Sequence, residues 1–152
     1  MKFEIPEPLK QEHDELHAIL RRATTEPGVL GESARALALL MRSHIEKEEA
    51  FALPPLSLLE SIAHGKVTPG MKDVLAMTDR LKLDLADMLA EHRSIVAALE
   101  TLNHAALQAH RPLYADFALR LIEHLRTEEL VYYPAAILVG EYVKEKLHLV
   151  QL

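Results

Sequence analysis

Four short motifs hold the residues best suited to chemistry: Glu12-His13, His44-Ile45-Glu46-Lys47-Glu48-Glu49, Glu91-His92 and His124-Leu125-Arg126-Thr127-Glu128-Glu129. Imidazole suits iron, zinc or copper, and a carboxylate has two oxygens with which to join two ions. The first two motifs recur, in order, as the second two. Pro54 and Pro134 follow the two His-x-x-x-Glu motifs at the same offset. Such a duplication relates the halves by a two-fold-like axis, with matching residues converging on it from opposite sides. The chain has nine histidines and no cysteine. Disulfides, thiolate zinc sites, cysteine-ligated clusters and cysteine nucleophiles are therefore excluded.

The elements that must position these residues are helices. Leu, Ala, Glu, Lys and Arg dominate, and alternating strand patterns are almost missing. The expected fold is all-α. Segment A runs from Pro8 to Arg22 and segment B from Gly31 to Ala52, where Pro54-Pro55 stop it. A short helix spans Leu56–Ala63. Segment C starts at Thr68-Pro69, read as an N-cap with proline at the first helical position, and reaches Gln108. Segment D runs from Arg111-Pro112 to Tyr132, and a last helix spans Ala135–Leu147. Short A–B and C–D connections predict two hairpins, and so an antiparallel up-down four-helix bundle. The 152 residues read as one domain, its core bundle spanning about 9–134.

Residues one turn apart share a helix face. The apolar stripe of A is Leu9, His13, Leu16, His17 and Leu20. On B it is Leu37, Met41, His44, Glu48 and Phe51. On C it is Leu85, Met88, His92, Ile95 and Leu99, and on D Phe117, Leu121, His124, Glu128 and Val131. Each motif thus puts a polar donor on a core-facing stripe. Burying unpaired carboxylates costs several kcal/mol each. Two cations remove that cost, with Glu48 and Glu128 placed to bridge and His13, His44, His92 and His124 capping the ions. The competing arrangement is a hydrogen-bonded His–Glu network without metal.

The motifs resemble the hemerythrin-like HHE cation-binding family from about Leu9 to Pro134. The resemblance implies a four-helix bundle holding two iron ions, bridged by oxo or hydroxo and by the carboxylates of Glu48 and Glu128. His13, His44, His92 and His124 are then terminal ligands, and zinc or another divalent ion would satisfy the same donors. Oxygen-carrying hemerythrins have a further histidine on the third helix where this chain has Val96. His17, its counterpart by the repeat, is an additional candidate ligand. The last carboxylate is Glu128 rather than an Asp one residue further on, which resembles stand-alone bacterial HHE proteins. It also resembles di-iron proteins of nitric-oxide response or iron–sulfur repair, whose cysteine-containing segment has no counterpart here. Two octahedral ions offer about twelve positions, and this set leaves about two open, or about one if His17 binds.

An open position predicts binding of dioxygen, nitric oxide or peroxide, for sensing, storage or detoxification. The rivals are redox turnover at the same centre and a metal-stabilised interaction module. For the latter, Ala135–Val139 and Leu56–Leu59 offer apolar surface to a partner or to a homodimer. The net charge of −6 argues against nucleic acid and anionic membrane. No targeting signal or bilayer-length apolar run is visible, so a cytoplasmic setting is expected. Glu12 and Glu91 read as solvated or as supports of the ligands. Glu49 and Glu129 read as surface charges, Met41 and Met88 as apolar wall, and Tyr132 as packing at the bundle end. His64 reads as a helix cap, and His104, His110 and His148 match no motif.

Overall fold

The computed structural model describes residues 2–148. Met1 and residues 149–152, which the single-domain reading includes, lie outside them. Helices dominate, and the described residues contain no strand. Helix α1 is Glu7–Thr24, α2 Gly28–Lys47, α3 Leu59–Ala63, α4 Leu75–Gln108, α5 Pro112–Thr127 and α6 Tyr133–Lys146. Helix α1 packs on α2 and α5, and α4 packs on the same two, which closes a four-helix ring. Its hairpins are antiparallel, because His13 near the start of α1 lies level with Glu48 just beyond the end of α2. Both hairpin turns meet at one end, where Arg111 pairs with Glu26 at 2.8 Å and the Tyr114 hydroxyl donates to Glu26 at 3.0 Å.

The helix ends follow local chemistry. Glu7 lies in the first turn of α1 and Arg21 and Arg22 in its last, each favourable to the helix dipole. Pro112 opens α5 at a position whose N–H would have no partner anyway. Thr68 is extended, as expected before Pro69, but its side chain caps nothing. Pro69–Val74 forms a 3₁₀ turn before α4 begins. His64 ends α3, with Nδ1 donating to the Glu60 carbonyl at 2.8 Å.

Two departures from the expected helices bear on function. Neither B nor D is a plain α-helix to its end. Glu48–Ala52 and Glu128–Tyr132 are π turns. Each is closed by an i→i+5 bond, from the Leu53 N–H to the Glu48 carbonyl and from the Tyr133 N–H to the Glu128 carbonyl. Pro54 and Pro134 come next. A proline ring within a helix clashes with the carbonyl four residues back, and the wider turn relieves that clash. After the first π turn the chain passes through a 3₁₀ turn, Pro54–Leu58, into α3. After the second it continues directly into α6 instead of breaking at Pro134. Helix α6 is held there because Ala136, Val139, Gly140 and Val143 face the core and pack against α4.

A π turn adds a residue, so the buried face advances by one position. Val131, expected on the core stripe, is half-exposed, whereas Tyr133 is fully buried. The apolar core falls into layers. Leu16, Leu20, Leu37, Leu99 and Phe117 belong to one cluster, and Leu9, Phe51, Leu53, Met88 and Tyr133 to another. Met41 and Met88 are apolar wall, as their spacing predicts. Ala136 and Val139, with Leu56 and Leu58, are buried at the bundle end, while Leu59 and Leu138 remain exposed.

Candidate metal centre

Between the two apolar layers lies a polar one. Every ring helix supplies it with groups flanked above and below by core residues: His13 between Leu9 and Leu16 on α1, His92 between Met88 and Ile95 on α4. From the other two helices come His44 and Glu48, and His124 and Glu128. All six are buried, with at most 6% exposure. No such layer forms for hydrophobic reasons, since six buried polar side chains oppose folding unless something compensates them.

Their atoms form two groups. His44, His92, Glu48 and Glu128 converge in one, and His13, His124 and Glu128 in the other; in each, the nitrogen and oxygen atoms lie within 4.8 Å of one another. The carboxylates divide their oxygens between the groups. Glu128 Oε1 lies 3.4 Å from His92 Nε2, while its Oε2 lies 3.3 Å from His124 Nε2 and 3.6 Å from His13 Nε2. Glu48 Oε1 lies 2.9 Å from His44 Nε2, and its Oε2 lies 4.0 Å from His13 Nε2.

A second tier of carboxylates stands behind the imidazoles. Glu12 lies 3.0 Å from His124 Nδ1, Glu129 lies 2.9 Å from His92 Nδ1, and Glu91 lies 3.5 Å from His44 Nδ1. Lys47 pairs with Glu91 at 3.2 Å. Behind His92 and His124 the carboxylate holds the proton on Nδ1 and turns the Nε2 lone pair inward, as in the outer tier of metal-binding histidines, whereas His44 Nδ1 is buried without a hydrogen-bond partner. The Nε2 atoms face one another: His13 and His124 Nε2 are 2.8 Å apart, and His44 and His92 Nε2 are 2.9 Å apart. Glu128 Oε2 is buried and accepts no hydrogen bond. Inward lone pairs, an unsatisfied carboxylate oxygen and two facing carboxylates all fit cations. The nitrogen and oxygen donors, without sulfur, are those of iron, zinc or manganese.

The electrostatics without cations bear the marks of that mismatch. Burial and the facing Glu128 push the Glu48 carboxyl up. Burial also acts to raise Glu128, but the neighbouring His124, His13 and His92 imidazoles hold it well below the usual range. His44 and His124 are pushed down by burial but raised more by their carboxylate neighbours, so each ends above its ordinary value.

His17 belongs to neither group. It is half-buried, its ring centroid 5.8 Å from that of His13. It lines a small cavity of about 10 Å³, beside His13, Met41, His44, His124 and the Glu48 and Glu128 carboxylates. An outer groove on α1 and α2 also has His17 and Met41 in its wall. One residue corrects the sequence reading and one adds to it. Glu129, expected as a surface charge, supports His92. The hydroxyl that reaches the glutamates is that of Tyr133, which the sequence reading did not single out, 2.6 Å from Glu48 and 3.5 Å from Glu128, while Tyr132 packs at the bundle end as expected. The signal for Tyr133 was the proline after it, which marks the π turn that rotates position 133 inward. Glu49, the repeat counterpart of Glu129, is exposed in a groove it shares with His13.

The ring of helices and its buried His–Glu layer define a metal-binding helical bundle. The chain belongs to the hemerythrin HHE cation-binding domain family, which matches residues 4–136. Neither the curated proteins nor the solved structures give a match. No described helix is long and apolar enough to cross a membrane.

Proposed function

We propose that this protein holds two iron ions, one at His44 and His92 and one at His13 and His124, with Glu48 and Glu128 bridging, and binds a small ligand there. The ligand class is dioxygen, nitric oxide or peroxide, for sensing, storage or detoxification. The observation that carries the reading is the division of the Glu128 oxygens between the two imidazole pairs. A structural network has no need of that arrangement, whereas a bridge requires it.

Iron, when bound, supplies a redox-active Lewis acid. The chain supplies the rest. Glu12 and Glu129 keep the Nδ1 protons of His124 and His92 in place and orient those rings. Leu121, Leu125 and Met41 exclude bulk water from the cavity. That space is no larger than one water needs, which leaves no room for large substrates. His17 stands in the cavity wall, placed either to coordinate or to contact an incoming ligand.

The test is anaerobic reconstitution with iron(II), removal of excess and metal analysis. About two irons per chain are expected, and fewer than about one overturns the proposal. Exposing the loaded protein to nitric oxide or air should then change its visible spectrum. His17→Ala separates the two roles of that residue: unchanged iron content with altered ligand binding places it in the cavity wall alone.

A further inference from the structure

Tyr133 is the one tyrosine whose hydroxyl enters the polar layer. It is fully buried. Its oxygen lies 2.6 Å from Glu48 Oε1, 3.1 Å from His92 Nε2, 3.4 Å from His44 Nε2 and 3.5 Å from Glu128 Oε1. These partners come from the four residues of the His44–His92 group. The other edges of this cluster are similar, such as 2.9 Å between the two imidazole nitrogens and 3.4 Å from His92 to Glu128. Neighbouring donors around an ion with bonds of about 2.0–2.2 Å lie about 3 Å apart. The five atoms are therefore spaced as adjacent ligands are. A phenol serving only to donate to Glu48 has no need to stand within 3.4 Å of two imidazole nitrogens as well.

We propose that Tyr133 is a fifth donor to the ion at His44 and His92, and that it makes the two metal positions unequal. The repeat supports the asymmetry. Leu53 occupies the matching position after the first π turn and is buried and apolar, so the His13–His124 group has no phenol. The small cavity is lined by His13, His17, His44, Glu48, His124 and Glu128, and not by His92 or Tyr133. Tyr133 thus fills a position on one ion that has no counterpart on the other. On coordination the phenol O–H bond breaks, an oxygen–metal bond forms, and the proton leaves to solvent; no electron transfer is involved.

The proposal rests on the metal reading above, and the experiment separates the two. Wild-type protein is loaded with iron(II) under argon, freed of excess metal, and oxidised in air. The expected result is a visible phenolate-to-iron(III) charge-transfer band, with tyrosinate ring modes in the resonance Raman spectrum. Tyr133→Phe should keep its iron and lose both signals, while Tyr132→Phe keeps them. Iron-loaded wild type without tyrosinate modes, or Tyr133→Phe that retains them, overturns this proposal and leaves the metal reading standing. Wild type that takes up no iron overturns both. Should Tyr133→Phe fail to fold or to hold iron, ring-deuterated tyrosine in the Tyr132→Phe protein decides. Shifted modes support ligation by Tyr133, and unshifted or absent modes refute it.

Discussion

At the scale of single residues, the centre is a set of side chains that are unfavourable to bury and useful to keep. Glu48 shows the conflict best: it is 3% exposed, faces Glu128, and its carboxyl is pushed up by burial. Glu48→Gln keeps the shape and removes a charge. It should stabilise the metal-free protein by about 1–3 kcal/mol at neutral pH while abolishing binding of at least one ion, as read by thermal unfolding and metal analysis. The pH dependence of the metal-free protein follows from the same groups. His44 and His124 are raised, so their stabilising contribution is complete below the unfolded imidazole value near 6.5 and is lost as pH rises through their folded values. Glu48, also raised, acts in the same sense from a lower starting pH. Glu128 is depressed, so its contribution is present above the unfolded carboxyl value and disappears only in strong acid. The metal-free Tm should therefore fall as pH rises above the unfolded imidazole value near 6.5, offset in part by His17, whose imidazole is pushed down by burial; a Tm that rises there contradicts these shifts.

Much of this was legible in residue type and spacing. His13, His44, His92, His124, Glu48 and Glu128 sit on core stripes that a 3.6-residue period displays directly, and all six meet in the buried layer. Glu129 and Tyr133 were not legible by that rule. Beyond Glu128 the period is no longer 3.6, and a helical wheel sends position 133 to the wrong face. His17 was placed one turn from His13 correctly, but the wheel carries no information on how deeply a ring reaches.

At the scale of elements, the two π turns aim the site. Each begins at a central glutamate and is followed by proline. The extra residue lets the helix supply His and Glu from one face and still return an apolar residue, Leu53, or a phenol, Tyr133, to the core. Inserting one alanine after Leu130, which is exposed, would place Tyr133 six positions beyond Glu128 and turn it and α6 off the core-facing stripe. That insertion should cost several kcal/mol, of the order of losing a large core side chain, whereas Leu130→Ala should change stability by less than about 0.5 kcal/mol. Chemical denaturation of both variants distinguishes a register effect from loss of a side chain. The packing of α6 on α4 has its own close point. A Cβ at Gly140 would collide with the Thr78 side chain, which is itself buried. Gly140→Ala should destabilise by about 1–3 kcal/mol through overpacking, and paired with Thr78→Ala, which removes the nearest atom, it should recover part of that loss. The sequence reading placed the helix boundaries well where caps and prolines act alone. It ended segment D at Tyr132, where the π turn ends, but put a break at Pro134 that the chain does not make, because proline at the start of a packed helix is not a stop.

At the scale of the whole molecule, a polar layer divides two apolar ones, and the four-helix ring is closed through it. Without cations the layer is held by a few hydrogen bonds among groups that repel or compete. With cations the same groups become cross-links between both hairpins, so metal binding adds its free energy to the folded state alone. Loading with iron should raise Tm, and the gap between loaded and metal-free protein should widen from about pH 5 to about pH 8 as protons cease to compete for imidazole. A gap that narrows over that range would argue against imidazole ligation.

The central claim is that both hairpins meet around two ions, and anomalous scattering at the iron edge from crystals of the reconstituted protein tests it most directly. The account predicts two peaks, one beside His44 and His92 and one beside His13 and His124, with Glu48 and Glu128 between them. A map with no peak in the buried layer, or with iron only at surface carboxylates, would contradict it.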